Sequence, residues 1–274
     1  MIDYPEWYTT PQVKFRLINY THNREVMFIN MNHSLGGATT RMIRIHNVQG
    51  IDIWFKVLRI HQFQREYNLY YSLAKYRNGI PFSTLDLAKR DFGDWNENHW
   101  KEMESYDFLL DIDAGCHHDI MFAYSSAASV KKLFDECNVP YHLRFSGRGF
   151  HFVIPYEYFN LMFAYDAFNP DAVGNVYSVF MDIAMKLHSL YSEMIDMTIY
   201  DSRRVTKIPY SLALYDGRNY VCTSFSSEEE FNNFNLKDMK PHAKYHEVHG
   251  VNKWTEHLFN PKGKVNKLLN KLGV

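Results

Sequence analysis

The sequence is poor in cysteine and has almost no net charge. Its 274 residues contain only three cysteines, and this odd number at wide spacing excludes a disulfide framework and is typical of a reducing compartment. Lys and Arg number 30 against 31 Asp and Glu. Any binding of nucleic acid must therefore depend on a local cluster of cations rather than on a uniformly basic surface.

Long apolar runs, internal repeats and low-complexity tracts are also missing. No stretch reaches the ~20 apolar residues needed to cross a bilayer, and the N-terminus lacks the basic head and apolar run of a secretory signal. With 46% apolar and 16% aromatic residues, the chain can form one large globular domain or a core domain with a small lobe. We therefore expect a soluble, cytoplasmic protein without a membrane segment.

The first sharp pattern is a strand that carries two acids. Over residues 108–113, apolar side chains alternate with Leu109, Asp111 and Asp113, which is the period of two expected of a strand. Asp111 and Asp113 should therefore share one face. Two such carboxylates can approach one divalent cation, or a metal pair about 4 Å apart. The alternative is a solvated or capping pair at a strand end.

The segments that follow predict a helix, a hairpin and a second helix. Residues 124–137 have apolar side chains at helical spacing, and residues 141–145 and 150–154 are two short apolar, aromatic runs that predict paired strands. Residues 175–191 predict a second helix, whose apolar stripe should end at Leu190. This order of elements predicts an α/β (α+β) domain.

The turn of the predicted hairpin is unusually polar. It contains Ser146, Gly147, Arg148 and Gly149, and His151 follows. Glycines let a backbone approach phosphates, while a hydroxyl, a guanidinium and an imidazole can donate hydrogen bonds to phosphate oxygens. The plainer interpretation is a hairpin tip beside a partly buried histidine.

A third acid is followed by a basic segment. Asp196 comes after two apolar residues, as expected of an acid at the end of a strand, and Arg203, Arg204 and Lys207 follow. Such an acid could complete a metal site, and the cations could neutralise a triphosphate. We favour Asp196 over Asp201, which lies in a more polar stretch. An exposed strand edge would also explain these charges.

The three elements, in this order, resemble the archaeo-eukaryotic primase superfamily, whose pattern is Asp-x-Asp, then Ser-x-His or Ser-Gly-x-Gly-x-His, then a third Asp. Further likeness points to the primase small, catalytic subunit. Arg24 and Glu25 resemble an early Arg-Glu element, residues 69–74 resemble the strand before the acid pair, and residues 207–212 match a closing basic-x-Pro-x-Ser-Leu segment. The likeness covers roughly residues 24–215.

The resemblance implies a primase-type catalytic domain over residues 1–240, with a mixed or antiparallel sheet flanked by helices. It would include a small helical insertion at 156–192 and be followed by a C-terminal extension, residues 241–274, with a short basic helix. Two Mg²⁺ or Mn²⁺ ions would be held by Asp111, Asp113 and Asp196. The nucleotide would be bound by Ser146, Gly147, Arg148, His151, Arg204, Lys207 and Ser211.

The implied reaction is primer synthesis by two-metal nucleotidyl transfer on a single-stranded DNA template, from NTPs or dNTPs. No cysteine set for an iron–sulfur cluster is present, so a separate large primase subunit or a replicative helicase would be the partner. Three rivals stay open. They are a gap-filling or repair polymerase of the same superfamily, a catalytically idle nucleic-acid-binding subunit, and a phosphodiesterase, which Arg148 and Lys207 suit less well.

The sequence also departs from the small subunits. They commonly continue the Ser-Leu pair into His, where this chain has Ala213, and their Ser-Gly-Arg-Arg-Gly-x-His hairpin is one residue longer. Many archaeal members have a zinc-binding insertion near the acid pair. Residues 116–118 with Cys137 offer possible ligands, but Cys137 falls on the apolar stripe of a predicted helix, so structural zinc is not expected.

Overall fold

The structure of the protein is a computed structural model. It describes residues 7–8, 10–30, 41–45, 67–77, 99–115, 119–159, 166–202, 204–215, 218–241 and 257–274. Residues 116–118 and Arg203 lie outside these ranges. No helix in the described part of the chain is long and apolar enough to span a membrane.

Helices and strands alternate irregularly along the chain. The helices are α1 Pro11–Thr21, α2 Ile120–Glu136, α3 Val176–Tyr191, α4 Glu228–Asn232 and α5 Asn266–Leu272. The strands are β1 Arg24–Asn30, β2 Arg41–Ile45, β3 Tyr67–Ser72, β4 Ala74–Tyr76, β5 Met103–Tyr106, β6 Phe108–Asp113, β7 His142–Phe145, β8 Gly149–Ile154, β9 Val205–Lys207, β10 Leu212–Tyr215, β11 Arg218–Val221 and β12 Thr223–Ser224.

These strands form two four-stranded sheets and two smaller pairs. Sheet I has the order β2-β1-β3-β9, sheet II has the order β12-β7-β8-β6, and β4 pairs with β5 as β10 does with β11. Every strand pair within the described residues is antiparallel. The prediction of an α+β fold with antiparallel sheets and flanking helices is therefore confirmed.

The two faces of sheet II differ in character. On β6, the side chains of Phe108, Leu110 and Ile112 are fully buried. Phe108 meets Phe180 of α3 with ring centroids 5.1 Å apart, and α2 packs on the same core through its apolar residues. Asp111 and Asp113 alternate with these residues and are only partly buried. One face thus forms the core with the helices, and the other carries the acids, as predicted.

The predicted helices are present, with two differences. Helix α2 begins at Ile120 rather than Tyr124, because the Asp119 side chain accepts a hydrogen bond from the Met121 N–H (2.9 Å) and caps the helix. Leu190 was expected to be on the buried stripe of α3, but it is 63% exposed. The stripe continues instead to Tyr191, which packs against the core.

A buried ion pair joins the sheets around the start of β6. The Arg24 guanidinium donates to the carbonyls of Ser72 (2.7 Å) and Leu73 (2.8 Å) and pairs with the Asp107 carboxylate. Asp107 also accepts a hydrogen bond from the Tyr156 N–H (3.1 Å). The early arginine of the sequence pattern therefore holds β1, β3 and β6 together.

The C-terminal helix belongs to the same core as sheet II. The buried face of α5 consists of leucines such as Leu268 and Leu272, which pack in the main cluster with α2 and α3. Its lysines lie outside, where Lys271 pairs with Glu136 at 3.2 Å. This is the short basic helix that the sequence predicted.

Candidate active site

A row of polar side chains crosses sheet II on the face away from the helical core. The strand register places Arg144 opposite His151, and His151 opposite Asp111. The chain at Asp196 extends this row, because Ile195 bridges Ile112 and the Asp196 N–H donates to the Asp111 carbonyl (2.9 Å). Directly opposed residues of antiparallel strands have Cβ atoms about 5 Å apart and share a face.

Asp113 lies next to this row, two residues beyond Asp111 on β6. Its N–H donates to the Met194 carbonyl (3.0 Å), the second hydrogen bond that fixes the segment of Asp196 against β6. Three carboxylates from two neighbouring segments therefore occupy adjacent positions on one face. Residues 192–196 form a turn rather than the strand expected before Asp196, and a single β-bridge with two backbone hydrogen bonds holds this turn against β6.

Oδ1 of each of the three carboxylates has a protein partner. Oδ1 of Asp111 lies 3.3 Å from Nε2 of His151, and Oδ1 of Asp113 accepts from the Gly115 N–H (2.8 Å). Oδ1 of Asp196 accepts from the N–H (2.8 Å) and hydroxyl (2.7 Å) of Thr198. Within the described ranges, no hydrogen bond reaches Oδ2 of Asp111 or Asp196.

The surrounding charges keep Asp111 ionised. Burial by itself would raise the pKa of this carboxyl, but His151, Lys207 and Arg148 oppose it and hold the pKa below its ordinary value. Conversely, burial and the charges of Asp111 and Asp196 raise the pKa of the neighbouring Tyr200 phenol. The site therefore combines negative charge on the sheet with cations at its rim.

His151 is enclosed by protein groups. Its Nδ1 lies 3.0 Å from the Thr206 hydroxyl and its Nε2 faces Asp111, while its side chain is only 8% exposed. We expected His151 to contact a phosphate, but both of its ring nitrogens face protein partners here. Thr206, on β9 of sheet I, was not singled out from the sequence.

The predicted hairpin between β7 and β8 is present, and glycines shape its tip. Gly147 has φ +103°, and a Cβ there would lie 2.1 Å from the Cβ of Ala213. A Cβ on Gly149 would lie 1.9 Å from the Ile112 carbonyl oxygen. The short tip therefore rests directly on the small residue that replaces the expected histidine, and it fills the space that a larger side chain would need.

Two cations lie at this tip. Lys207 donates from Nζ to the Ser146 carbonyl (3.0 Å) and lies 5.5 Å from the centroid of the Tyr70 ring. Arg148 pairs with Oδ2 of Asp113, and its side chain is 55% exposed. The structure thus brings Arg148, Lys207 and the three acids together, with Ser146 beside them.

The structure does not bring two of the other predicted residues to this face. Ser211 is fully buried, and its hydroxyl accepts from the Leu69 N–H (2.7 Å), so it supports sheet I instead. The Arg204 guanidinium donates to the carbonyls of Thr198 (2.7 Å) and Ile199 (3.0 Å) and pairs with Asp201 (2.7 Å). These contacts hold the turn that follows Asp196.

The choice between Asp196 and Asp201 has a clear geometric basis. Asp196 lies opposite Asp111 beside the Ile112–Ile195 bridge. The Asp201 side chain is 51% exposed and makes the ion pair with Arg204. Asp196 is therefore the acid placed beside the other two.

Arg144 is a further residue that the sequence did not reveal. It is fully buried on β7, where its guanidinium donates to the Lys207 carbonyl (3.0 Å) and the Tyr71 hydroxyl (2.9 Å). It therefore connects sheet II to the segment that carries Lys207. An arginine between Leu143 and Phe145, in a short and mostly apolar segment, was the signal that could have identified it.

No protein-family model matches the sequence, and no curated protein matches it. Among solved structures, the chain is similar to the polymerase domain of Mycobacterium tuberculosis Ligase D in complex with DNA, with TM-score 0.49 and 14% identity over 84% of this chain and 81% of that one. It is also similar to the catalytic domain of primase RepB′ in complex with initiator DNA, with TM-score 0.34 and 12% identity over 72% and 75% of the two chains.

A second structure of primase RepB′ gives TM-score 0.37 and 11% identity over 79% of this chain and 56% of that one. These scores and identities are low. The chemistry of this chain therefore has to be inferred from its own residues.

Proposed function

We propose that this chain is a metal-dependent nucleotidyltransferase of the primase-polymerase type, which makes short primers on single-stranded DNA from nucleoside triphosphates. The observation that supports this most strongly is the placement of Asp111, Asp113 and Asp196 at adjacent positions on one face of sheet II. Cations at the hairpin tip border the same face. Carboxylates that bind metal and cations that bind phosphate are the two parts that phosphoryl transfer requires.

The three acids fit a site for Mg²⁺ or Mn²⁺ in their chemistry and backbone positions. Carboxylate oxygens are the ligands that these ions prefer. When bound, such ions lower the pKa of an attacking 3′-hydroxyl and neutralise charge on the α-phosphate and leaving pyrophosphate. Structural zinc is not part of this proposal.

The histidine beside the acids has a positioning role in this proposal. Thr206 at one ring nitrogen and Asp111 at the other fix the orientation of His151, and His151 in turn orients the carboxylate. Hydrogen-bonded partners behind a metal ligand commonly fix its geometry and tune its affinity. A phosphodiesterase in which His151 itself activates water would need a free ring nitrogen, and both nitrogens of His151 face protein groups here.

The cations at the hairpin tip are placed to bind the triphosphate. Arg148 is more than half exposed and its planar fork suits phosphate oxygens, while Lys207 adds a second positive charge beside the Ser146 carbonyl. Arg204 and Ser211 are less suited to this contact, because their polar groups are engaged in structural hydrogen bonds.

Gel-resolved products from a single-stranded DNA template test this function. The assay uses labelled NTPs or dNTPs with Mg²⁺ or Mn²⁺, with and without an annealed primer. We expect short products without a primer, and none from the Asp111→Ala, Asp113→Ala double variant. Asp182→Asn, which changes an exposed acid on α3, is the matched control and should synthesise normally.

The outcomes separate the candidate functions. Extension of annealed primers alone would indicate a gap-filling polymerase. A double variant that keeps its synthesis would overturn the metal assignment. If folded wild-type protein binds template but incorporates no nucleotide with either metal, the chain is a nucleic-acid-binding subunit instead.

A further inference from the structure

Two residues with different proposed partners are paired with each other. Asp113 is expected to bind metal and Arg148 to bind the triphosphate, yet the Arg148 guanidinium contacts Oδ2 of Asp113. The other oxygen of Asp113 accepts from the Gly115 N–H (2.8 Å). Both oxygens of this carboxylate therefore have protein partners.

The side chains of the three acids are consequently not yet arranged as a metal site. In the part of the chain that the structure describes, no group of three or more His, Cys, Asp or Glu side chains is placed to hold a metal ion. The backbone positions of the acids are nevertheless adjacent. One of the three side chains, that of Asp113, is directed to Arg148.

We infer that Arg148 acts as a gate on the metal site. It occupies Asp113 until a divalent cation displaces it, and the released guanidinium then binds the triphosphate that accompanies the cation. This inference rests on the proposed function and adds a coupling to it. Because each ligand removes an obstacle to the other, cation and nucleotide should bind with positive cooperativity, and this coupling must be reciprocal.

The pair is weak enough to open. The Arg148 side chain is 55% exposed and that of Asp113 22%, and ion pairs exposed to water contribute little to stability. A divalent cation carries twice the charge of a guanidinium and is attracted more strongly by the same carboxylate. By contrast, the pair of Arg24 and Asp107 is almost completely buried, which suits a permanent structural contact.

Only the side chain of Arg148 needs to move. The hairpin tip packs closely on its neighbours, because a Cβ added at Gly147 or Gly149 would clash with Ala213 or with the Ile112 carbonyl. The Ala114 N–H also donates to the Arg148 carbonyl (3.3 Å). We therefore expect the guanidinium to exchange carboxylate for phosphate by rotation of its side chain alone, on a closely packed hairpin.

Binding of Mn²⁺ alone to the full chain, measured by electron paramagnetic resonance, tests the gate. Arg148→Gln should tighten Mn²⁺ binding by about two- to fivefold, the range expected when a competing exposed ion pair is removed. Lys207→Gln is the matched control. It also removes a positive charge near Asp111, but the Lys207 ammonium contacts the Ser146 carbonyl rather than Asp113, so its effect should be smaller.

The same titration is repeated with a non-hydrolysable deoxynucleoside triphosphate. Addition of this nucleotide should tighten Mn²⁺ binding by a larger factor in the wild type than in Arg148→Gln, because only the wild type has a pair to open. The Arg148 side chain is exposed, so the variant is expected to fold.

The outcomes distinguish the gate from the function on which it rests. Equal Mn²⁺ affinity in the wild type and Arg148→Gln, or equal tightening in Lys207→Gln, would overturn the gate while Mn²⁺ binding itself stands. Mn²⁺ binding that is unchanged in Asp111→Asn would show that the ion binds elsewhere, which would overturn the proposed metal site and the gate together.

Discussion

An Asp196→Asn variant should be folded but almost inactive. The amide oxygen of Asn can still accept the hydrogen bonds from Thr198 that cap the turn, which measure 2.8 and 2.7 Å to Oδ1, so stability should change by only a few tenths of a kcal/mol. Loss of a charged metal ligand should cost about 4 kcal/mol of transition-state stabilisation. At 1.36 kcal/mol per tenfold, the rate should fall by about a thousandfold.

Asp201→Asn is the matched control for this prediction. It removes an exposed ion pair with Arg204, which should cost about 0 to 1 kcal/mol of stability and leave the rate within about twofold. Both variants are compared for incorporation rate with Mn²⁺ and for urea unfolding. Near-normal turnover in Asp196→Asn together with a dead Asp201→Asn would refute the assignment and move the third carboxylate to Asp201.

Three further predictions concern the hairpin, the histidine and pH. Gly147→Ala should destabilise the fold by about 2 kcal/mol or more, because the new residue would have a strained backbone at φ +103° and its Cβ would clash with Ala213. Unchanged urea unfolding would contradict this. Thr206→Val removes the hydroxyl beside His151 and should lower Mn²⁺ affinity about 10- to 100-fold, whereas Thr206→Ser should restore it. Equal Mn²⁺ affinity in the wild type and Thr206→Val would indicate that this contact is purely structural. Because the folded pKa of Asp111 is lowered, its charge stabilises the fold at neutral pH and this contribution is lost on acidification below about pH 4. Asp111→Asn should therefore flatten the fall in urea stability below about pH 4, and an identical fall in both proteins would refute this.

Local patterns were sufficient to predict the centre of the fold. The alternation along residues 108–113 corresponds to β6, and the two apolar runs around the glycine-rich tip correspond to β7 and β8. The alternation on β6 arises because one of its faces is buried in the core, whereas β8 is buried at every position and gives a mostly apolar run instead. The helical spacing of α3 was equally clear, although its last turn was assigned to the wrong face at Leu190.

Contacts between distant segments could not be derived from these patterns. The placement of Asp196 beside Asp111 depends on a short bridge between separate segments of the chain. The pairing of Arg148 with Asp113 depends on how the hairpin tip meets the end of β6. The sequence shows which charged residues the chain has, but not which of their side chains form ion pairs.

Buried polar residues were the other main source of error. Ser211 has the residue type of a phosphate ligand, yet its hydroxyl satisfies a buried backbone N–H. Thr206 and Arg144 have no distinctive motif, yet they contact His151 and the segment of Lys207. A buried polar group must find partners in the protein, and only the three-dimensional packing shows which partners these are.

The most direct test of the central claim is a crystal of this chain soaked with Mn²⁺ and a non-hydrolysable deoxynucleoside triphosphate, with anomalous diffraction to locate the metal. We predict Mn²⁺ bound by Asp111, Asp113 and Asp196, with the Arg148 guanidinium turned from Asp113 to the phosphates. Mn²⁺ located away from these three carboxylates would contradict the proposed active site.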